Sequence, residues 1–205
     1  MRMRKKKRAE ERIQACGEYM RIGDMLEGGN PVCLEIGCGK GDFICETALS
    51  RPDENFIAVE RVSAVIVTAV EKAHGMNLPN ARFITADAKE LANILPHGII
   101  RELYLNFSDP WPKRYHHHKR LTSPVFLEIY KKIMVPGGAL KLKTDSTDLF
   151  GYSLVSLPAH GFKIARETRD LYGSELLGGN VQTEYEKKFV ERGVKICYLE
   201  AVFYK

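Results

Sequence analysis

Five short apolar runs, each followed by a stretch of helical character, constrain this chain more than any other feature. The runs are VCLEIG (32–37), FIAVE (56–60), ARFITAD (81–87), ELYLNF (102–107) and ALKLKTD (139–145). Between them lie an amphipathic stretch from Asp42 to Leu49, the apolar-rich segment 62–74, and AKELANIL. Ser123 as N-cap and Pro124 at the first helical position open a further helix that runs to about Met134. Pro136-Gly137-Gly138 reads as a stop and turn, and residues 146–159 as helix despite Gly151. Strands alternating with helices imply a mostly parallel sheet covered on both faces. Near the end, GFKIARET and VKICYLEAVFY alternate apolar and polar residues, the pattern of a half-exposed antiparallel pair. The expected fold is α/β and doubly wound, a seven-stranded mostly parallel sheet with an antiparallel C-terminal strand. At 205 residues the chain suits one domain over 1–205, preceded by a basic arm at 1–12.

Composition narrows the class. Hydrophobic content of 44% and charged content of 28% are those of a globular protein. No run of 18 apolar residues exists, so no membrane span is expected, and the charged N-terminus leads into no apolar core of a signal peptide. Cys16, Cys33, Cys38, Cys45 and Cys197 are odd in number and lack paired CxxC spacing. They are expected to be small buried side chains of a protein in the reducing cytoplasm, with no metal site. Charge is uneven. The first twelve residues hold seven cations against two carboxylates, which alone matches the formal net charge of +5. A second cationic cluster follows at 113–120. Local basic clusters attract polyanions through counterion release, although a solvated tail that aids solubility also accounts for the arm.

EIGCGKGD (35–42) places Gly37, Gly39 and Gly41 directly after the first strand, where glycine lets the backbone turn tightly against a ligand. Glu60 ends the second strand nineteen residues past Gly41, placed to accept hydrogen bonds from two ribose hydroxyls. Asp87 ends the third strand, placed to meet an adenine amino group. A dinucleotide fingerprint reads GxGxxG and seats a pyrophosphate; this loop reads ExGxGxG. Glu35 would repel pyrophosphate but attract the ammonium of an amino-acid moiety. The three carboxylates therefore fit S-adenosylmethionine better than NAD, which points to a methyltransferase. A structural carboxylate that bonds loop amides is the alternative for Glu35 taken alone.

The fourth strand runs into SDPWPKRYHHHKR (108–120). SDPW partly matches the (N/D/S)PP(Y/F/W) sequence of methyltransferases that act on base amino groups, with one proline instead of two. An ionised Asp109 could accept hydrogen bonds from the N1–H and amino edge of guanine. Trp111 suits either a base stack or the core, and Lys113, Arg114, Lys119 and Arg120 suit phosphates. Three adjacent histidines in a loop seldom reach one metal ion, so His116–His118 are expected to form a wet, partly cationic surface.

EIGCGKGDF, YLNFSDPWPK, LKTD (142–145) and GGNVQTEYEKKF (178–189) together resemble the tRNA (guanine-N7)-methyltransferase family of bacterial type. The likeness spans residue 32 to about 204, and the SDPWPK with a downstream TEYE is its most specific part. The resemblance implies a Rossmann-like class I methyltransferase, cytoplasmic, a monomer or homodimer without an obligate protein partner. Its activity would be methyl transfer from S-adenosylmethionine to N7 of guanosine 46 in the variable loop of tRNA. Glu35, Gly37, Gly39, Glu60, Asp87 and Asp109 would bind the cofactor, with Asp109 also catalytic. Lys113, Asp145, Thr183, Glu184, Tyr185 and Glu186 would contact the tRNA. The residues alone also make TEYEKKF a capped helix start, with Thr183 as N-cap and Glu186 three positions on. At 115–120 the chain departs from the family's RHxKRR-like run: Tyr115 replaces an arginine, His118 a lysine and Lys119 an arginine. That removes fixed charge and implies weaker tRNA binding by this loop. A methyltransferase for another nucleobase or small planar substrate, an NAD-dependent oxidoreductase, and an RNA-binding module with a vestigial cofactor fold are the competing readings.

Overall fold

A computed structural model of the protein describes residues 11–27 and 29–204. Seven strands form one sheet in the order β3-β2-β1-β4-β5-β7-β6. They are β1 (Val32–Ile36), β2 (Asn55–Glu60), β3 (Ala81–Thr85), β4 (Ile100–Asn106), β5 (Met134–Thr144), β6 (Phe162–Thr168) and β7 (Cys197–Phe203). The helices are α1 (Gly23–Glu27), α2 (Asp42–Ser50), α3 (Ser63–Gly75), α4 (Leu91–Ile94), α5 (Pro124–Ile133), α6 (Thr147–Ala159) and α7 (Glu184–Glu191). By internal contacts the chain falls into two compact units that divide between Ala88 and Lys89.

In the first unit β1, β2 and β3 are parallel, with Glu35 abreast of Ala58 and Glu60 abreast of Thr85. Buried on both faces, β1 and β2 read as continuous apolar runs, with Phe56, Ile57 and Ala58 fully enclosed, while the edge strand β3 is covered on alternate residues. Helices α2 and α3 pack on β2 and each other. The third glycine of the loop makes that packing possible. Gly41 has φ +81°, and a Cβ there would lie 2.5 Å from the Cβ of Ala69 on α3. Arg12 makes a two-point ion pair with Glu71 of α3. Residues 1–10 of the predicted basic arm lie outside the described residues.

In the second unit β4 and β5 are parallel, while β7 runs antiparallel to both β5 and β6. The expected antiparallel C-terminal pair is therefore present, with β6 at the edge. One boundary differs from the sequence expectation. Pro136-Gly137-Gly138 does not end the ordered segment: β5 begins at Met134, pairs with Ile100, bulges through the Pro-Gly-Gly residues, and resumes at Ala139 opposite Glu102. Bulges tolerate Pro and Gly where a regular ladder does not. Ser123 and Pro124 open α5 as expected, and Ser146 caps α6 by accepting from the Leu149 amide at 3.2 Å.

All five cysteines are buried. Burial, with the charges of Glu35 and Glu46 adding to it, pushes the Cys45 thiol up to about 12 from an ordinary 9.0. Cys38 is raised for the same first reason, and then by Glu35 and Glu60. Both stay protonated thiols at neutral pH, inert as nucleophiles or metal ligands. The folded chain thus keeps protons that the unfolded chain releases above about pH 9, so stability falls as pH rises through that point. Urea unfolding is expected to need less denaturant at about pH 10.5 than at about pH 8, with a smaller difference in Cys45→Ala.

Candidate active site

The parallel register collects the predicted carboxylates of the first unit at one edge. Glu35 is the penultimate residue of β1, Glu60 the last of β2, and Asp87 lies two residues beyond β3. Glu35 is almost fully buried, at 2% exposure. Glu60 accepts the Val62 amide on one oxygen at 2.9 Å, and its other oxygen has no partner among the described residues. That half-used carboxylate suits a diol. Gly37 and Gly39 have φ of +82° and +56°, and a Cβ on either would meet nothing within 4 Å, so open space faces the loop. The amides of Gly37 and Cys38 donate to the Val59 carbonyl and that of Gly41 to the Cys38 carbonyl. These amides are spent on the fold and cannot cradle a pyrophosphate. The donor set, acidic with an open glycine face, fits an amino-acid-bearing adenosine cofactor.

In the second unit the ends of β4 and β5 emerge together, since Asn106 is abreast of Lys143 and the Phe107 amide donates to the Lys143 carbonyl at 2.8 Å. Asp109 follows the end of β4 by three residues and Asp145 directly follows β5, and both are exposed. The Asp109 carboxylate has no hydrogen bond or ion pair among the described residues, nor has the Lys113 ammonium. The turn that carries Asp109 is bracketed by Phe107 at φ +51° and Trp111 at φ +41°. Bulky residues in the left-handed region cost on the order of 1–3 kcal/mol each and persist only where the surroundings impose them.

Arg120 holds the Trp111 side of this turn. Its side chain is fully buried. Nε donates to the Pro110 carbonyl at 2.9 Å and Nη2 to the Trp111 carbonyl at 3.2 Å, while Nη2 also meets Asp148 of α6. The guanidinium stacks on Tyr152, 4.7 Å from the ring centroid. Arg120 is therefore an internal clamp on the Asp109 turn, a correction to its expected role as a phosphate ligand. Sequence reasoning counted it with its basic neighbours, because a buried arginine and an exposed one are spelled alike. Trp111 is half-buried, neither free nor core: His116 meets it edge-on at 5.4 Å and the Lys119 ammonium lies 4.7 Å from its centroid. The basic stretch forms a 3-10 turn, Arg114–Lys119. His116 is held below its ordinary pKa by desolvation, then by Lys119, His118 and Lys113, and so is neutral at pH 7.

The segment 180–186 is built around a second buried cation. Lys143 Nζ, on β5, donates to Asn180 Oδ1 at 3.0 Å, the Val181 carbonyl at 2.7 Å and Glu186 Oε2 at 2.6 Å. Glu186 is fully buried, and its Oε1 accepts from Tyr172 at 2.9 Å and Asn180 Nδ2 at 2.7 Å. Thr183 and Glu186 complete the expected capping box: the Glu186 amide donates to Thr183 Oγ1 at 3.0 Å, and the Thr183 amide to Glu186 Oε2 at 3.2 Å. Glu186 thus anchors the segment, and the solvent-facing residue of the four is Tyr185, at 63% exposure. Glu184 pairs with Lys188 at 2.9 Å. The anchors Lys143, Asn180 and Tyr172 were not singled out from sequence, where Lys143 is one of two lysines alternating with leucines in β5 and nothing marks it as the buried one.

An α/β sheet with this mixed order, an ExGxGxG loop and a carboxylate closing the next strand define a Rossmann-like methyltransferase. A family model described as "Putative methyltransferase" matches residues 29–199. The fold is shared with the 16S rRNA methyltransferase KamB at a TM-score of 0.70 and 18% identity, covering 89% of this chain and 92% of that one. The tRNA (guanine-N(7)-)-methyltransferase of Geobacillus sp. (strain WCH70) is 40% identical over 212 residues, covering 99% of this chain and 96% of its own length. That of Listeria monocytogenes serovar 1/2a is 41% identical over 180 residues, 88% of this chain and 84% of its own. The chain belongs to the tRNA (guanine-N(7)-)-methyltransferase family.

Removing one partner of a buried ion pair strands the other charge. Lys143→Met is expected to cost about 3–5 kcal/mol in denaturant unfolding. A loss below about 1 kcal/mol would show that Glu186 is satisfied without the lysine. Arg120→Lys keeps a cation but not the fork, and is expected to lose about 2–3 kcal/mol in the same assay.

Proposed function

We propose that the protein transfers a methyl group from S-adenosylmethionine to N7 of guanosine 46 in the variable loop of tRNA, in the cytoplasm. Its two compact units would act as one methyltransferase domain. The observation that carries this reading is the unpaired, exposed Asp109 on a turn that a buried arginine holds in a strained shape, in a chain about 40% identical to enzymes of that name. When bound, the cofactor supplies an electrophilic methyl group.

Glu35 offers a buried negative charge to the ammonium of the amino-acid moiety, Glu60 its free oxygen to the ribose hydroxyls, and Asp87 an acceptor to the adenine amino group. Asp109 accepts from the N1–H and amino edge of guanine, which orients the base. N7 already carries an in-plane lone pair, so no residue has to remove a proton before attack. The methylated base is cationic, and the Asp109 carboxylate favours that charge as it develops. Catalysis is then mostly positioning of the two reactants. Lys113, with no carboxylate partner among the described residues, Asp145 and the exposed Tyr185 would meet the RNA, while Thr183 and Glu186 would shape the segment that presents Tyr185.

Labelled S-adenosylmethionine and unmodified tRNA, followed by aniline cleavage, test the reading. Cleavage at one variable-loop position is expected, with the rate reduced at least about 100-fold in Asp109→Ala, while calorimetry on that variant shows cofactor binding weakened but retained through Glu35, Glu60 and Asp87. Label placed on another base would discard the N7 assignment, and tight binding of NADH instead would discard the methyltransferase.

A further inference from the structure

Tyr115 is the second residue of the 3-10 turn, with 66% of its surface exposed, and its hydroxyl has no hydrogen-bond partner among the described residues. One side of the ring is held. The His116 imidazole lies 4.2 Å away, centroid to centroid, at 59°, and is itself braced edge-on at 83° against Trp111. Trp111 is fixed in turn by its left-handed backbone and by Arg120, which grips its carbonyl. The result is a three-ring ladder that ends in an open aromatic face, ordered before any ligand arrives. Preordering lowers the entropy lost on binding.

The surroundings specify the partner. Lys113, Arg114 and Lys119 flank the ladder, and none pairs with a carboxylate among the described residues. Unneutralised cations around an exposed ring suit a polyanion that also carries flat aromatic groups. Within a duplex the faces of the bases are covered by their neighbours, so the ring can meet only a base that is unpaired and unstacked.

We propose that Tyr115 is a base-stacking residue, whose open face receives an unpaired base of the RNA substrate. The proposal rests on the reading of the protein as a tRNA methyltransferase and adds a contact that the charge pattern does not supply. Tyr115 stands where the family's run carries an arginine, so the contact here exchanges a salt-sensitive charge for a ring. Stacking on a base involves no counterion release, and its contribution should not depend on salt.

The experiment measures binding of an unmodified tRNA transcript to the full-length protein at several salt concentrations from about 50 to about 300 mM. Tyr115→Ala is expected to weaken binding roughly tenfold at every salt concentration, with the slope of log K against log salt unchanged. Tyr115→Phe keeps the ring and should return affinity to within about twofold of the wild type. An unchanged thermal midpoint in Tyr115→Ala will show that the ladder's loss is local. Binding by Tyr115→Ala within about twofold of wild type, or a loss that fades as salt rises, would overturn the stacking role while the enzymatic reading stands. A wild-type protein that binds no tRNA removes both.

Discussion

A cation taken out of water is costly unless a counter-charge and hydrogen-bond acceptors surround it, and the second unit of this protein is organised by two that are held in this way. Arg120 and Lys143 are both buried, one on the loop after β4 and one within β5. Neither contributes as an apolar side chain would. Each draws a carboxylate and further oxygen acceptors from other segments of the chain, which offsets the desolvation cost. Arg120 draws in Pro110, Trp111 and Asp148; Lys143 draws in Asn180, Val181 and Glu186. Two irregular segments with no helix or strand of their own to shape them, the Asp109 turn and the run leading into Thr183, acquire single conformations in this way.

This arrangement separates the residues that hold shape from those that face outward. Around Asp109 the strained φ angles of Phe107 and Trp111 are the cost; the Arg120 fork holds the Trp111 side and the Lys143 carbonyl the Phe107 side. In TEYE, Glu186 and Thr183 are consumed by the cap and the buried pair, which leaves Tyr185 to solvent. In the first unit the same economy appears in the glycine loop. Amides of Gly37, Cys38 and Gly41 close the loop on itself, and Gly41 gives way to Ala69, which leaves the faces of Gly37 and Gly39 open. A loop that had kept its amides for a ligand would favour a phosphate; this one has closed them on itself and presents a buried carboxylate, Glu35, instead.

The strand and helix pattern was legible in the sequence because it depends on local rules. Apolar runs of five or six residues, the Ser123-Pro124 start, the Thr183…Glu186 cap and the alternation in β6 and β7 all fall where periodicity and capping place them. The carboxylates at strand ends were legible for the same reason, since a strand's end marks where its next residues emerge. The Pro-Gly-Gly bulge in β5 was misjudged as a stop, because whether a strand resumes after an interruption is decided by the neighbour it pairs with, here β4.

By itself, then, the sequence determined the order of elements, the acidic residues at the strand ends and the family, each carried by short-range spacing. Only the tertiary structure decided which of the like-charged residues are used up inside. Arg120 and Lys119 are adjacent and both cationic, yet one is fully buried beneath the turn and the other lies exposed over an indole. Glu186 and Tyr185 are adjacent in one motif and face opposite environments. Burial depends on which distant segments close over a position, and the free energy of a charge changes more on losing water than any local propensity can register.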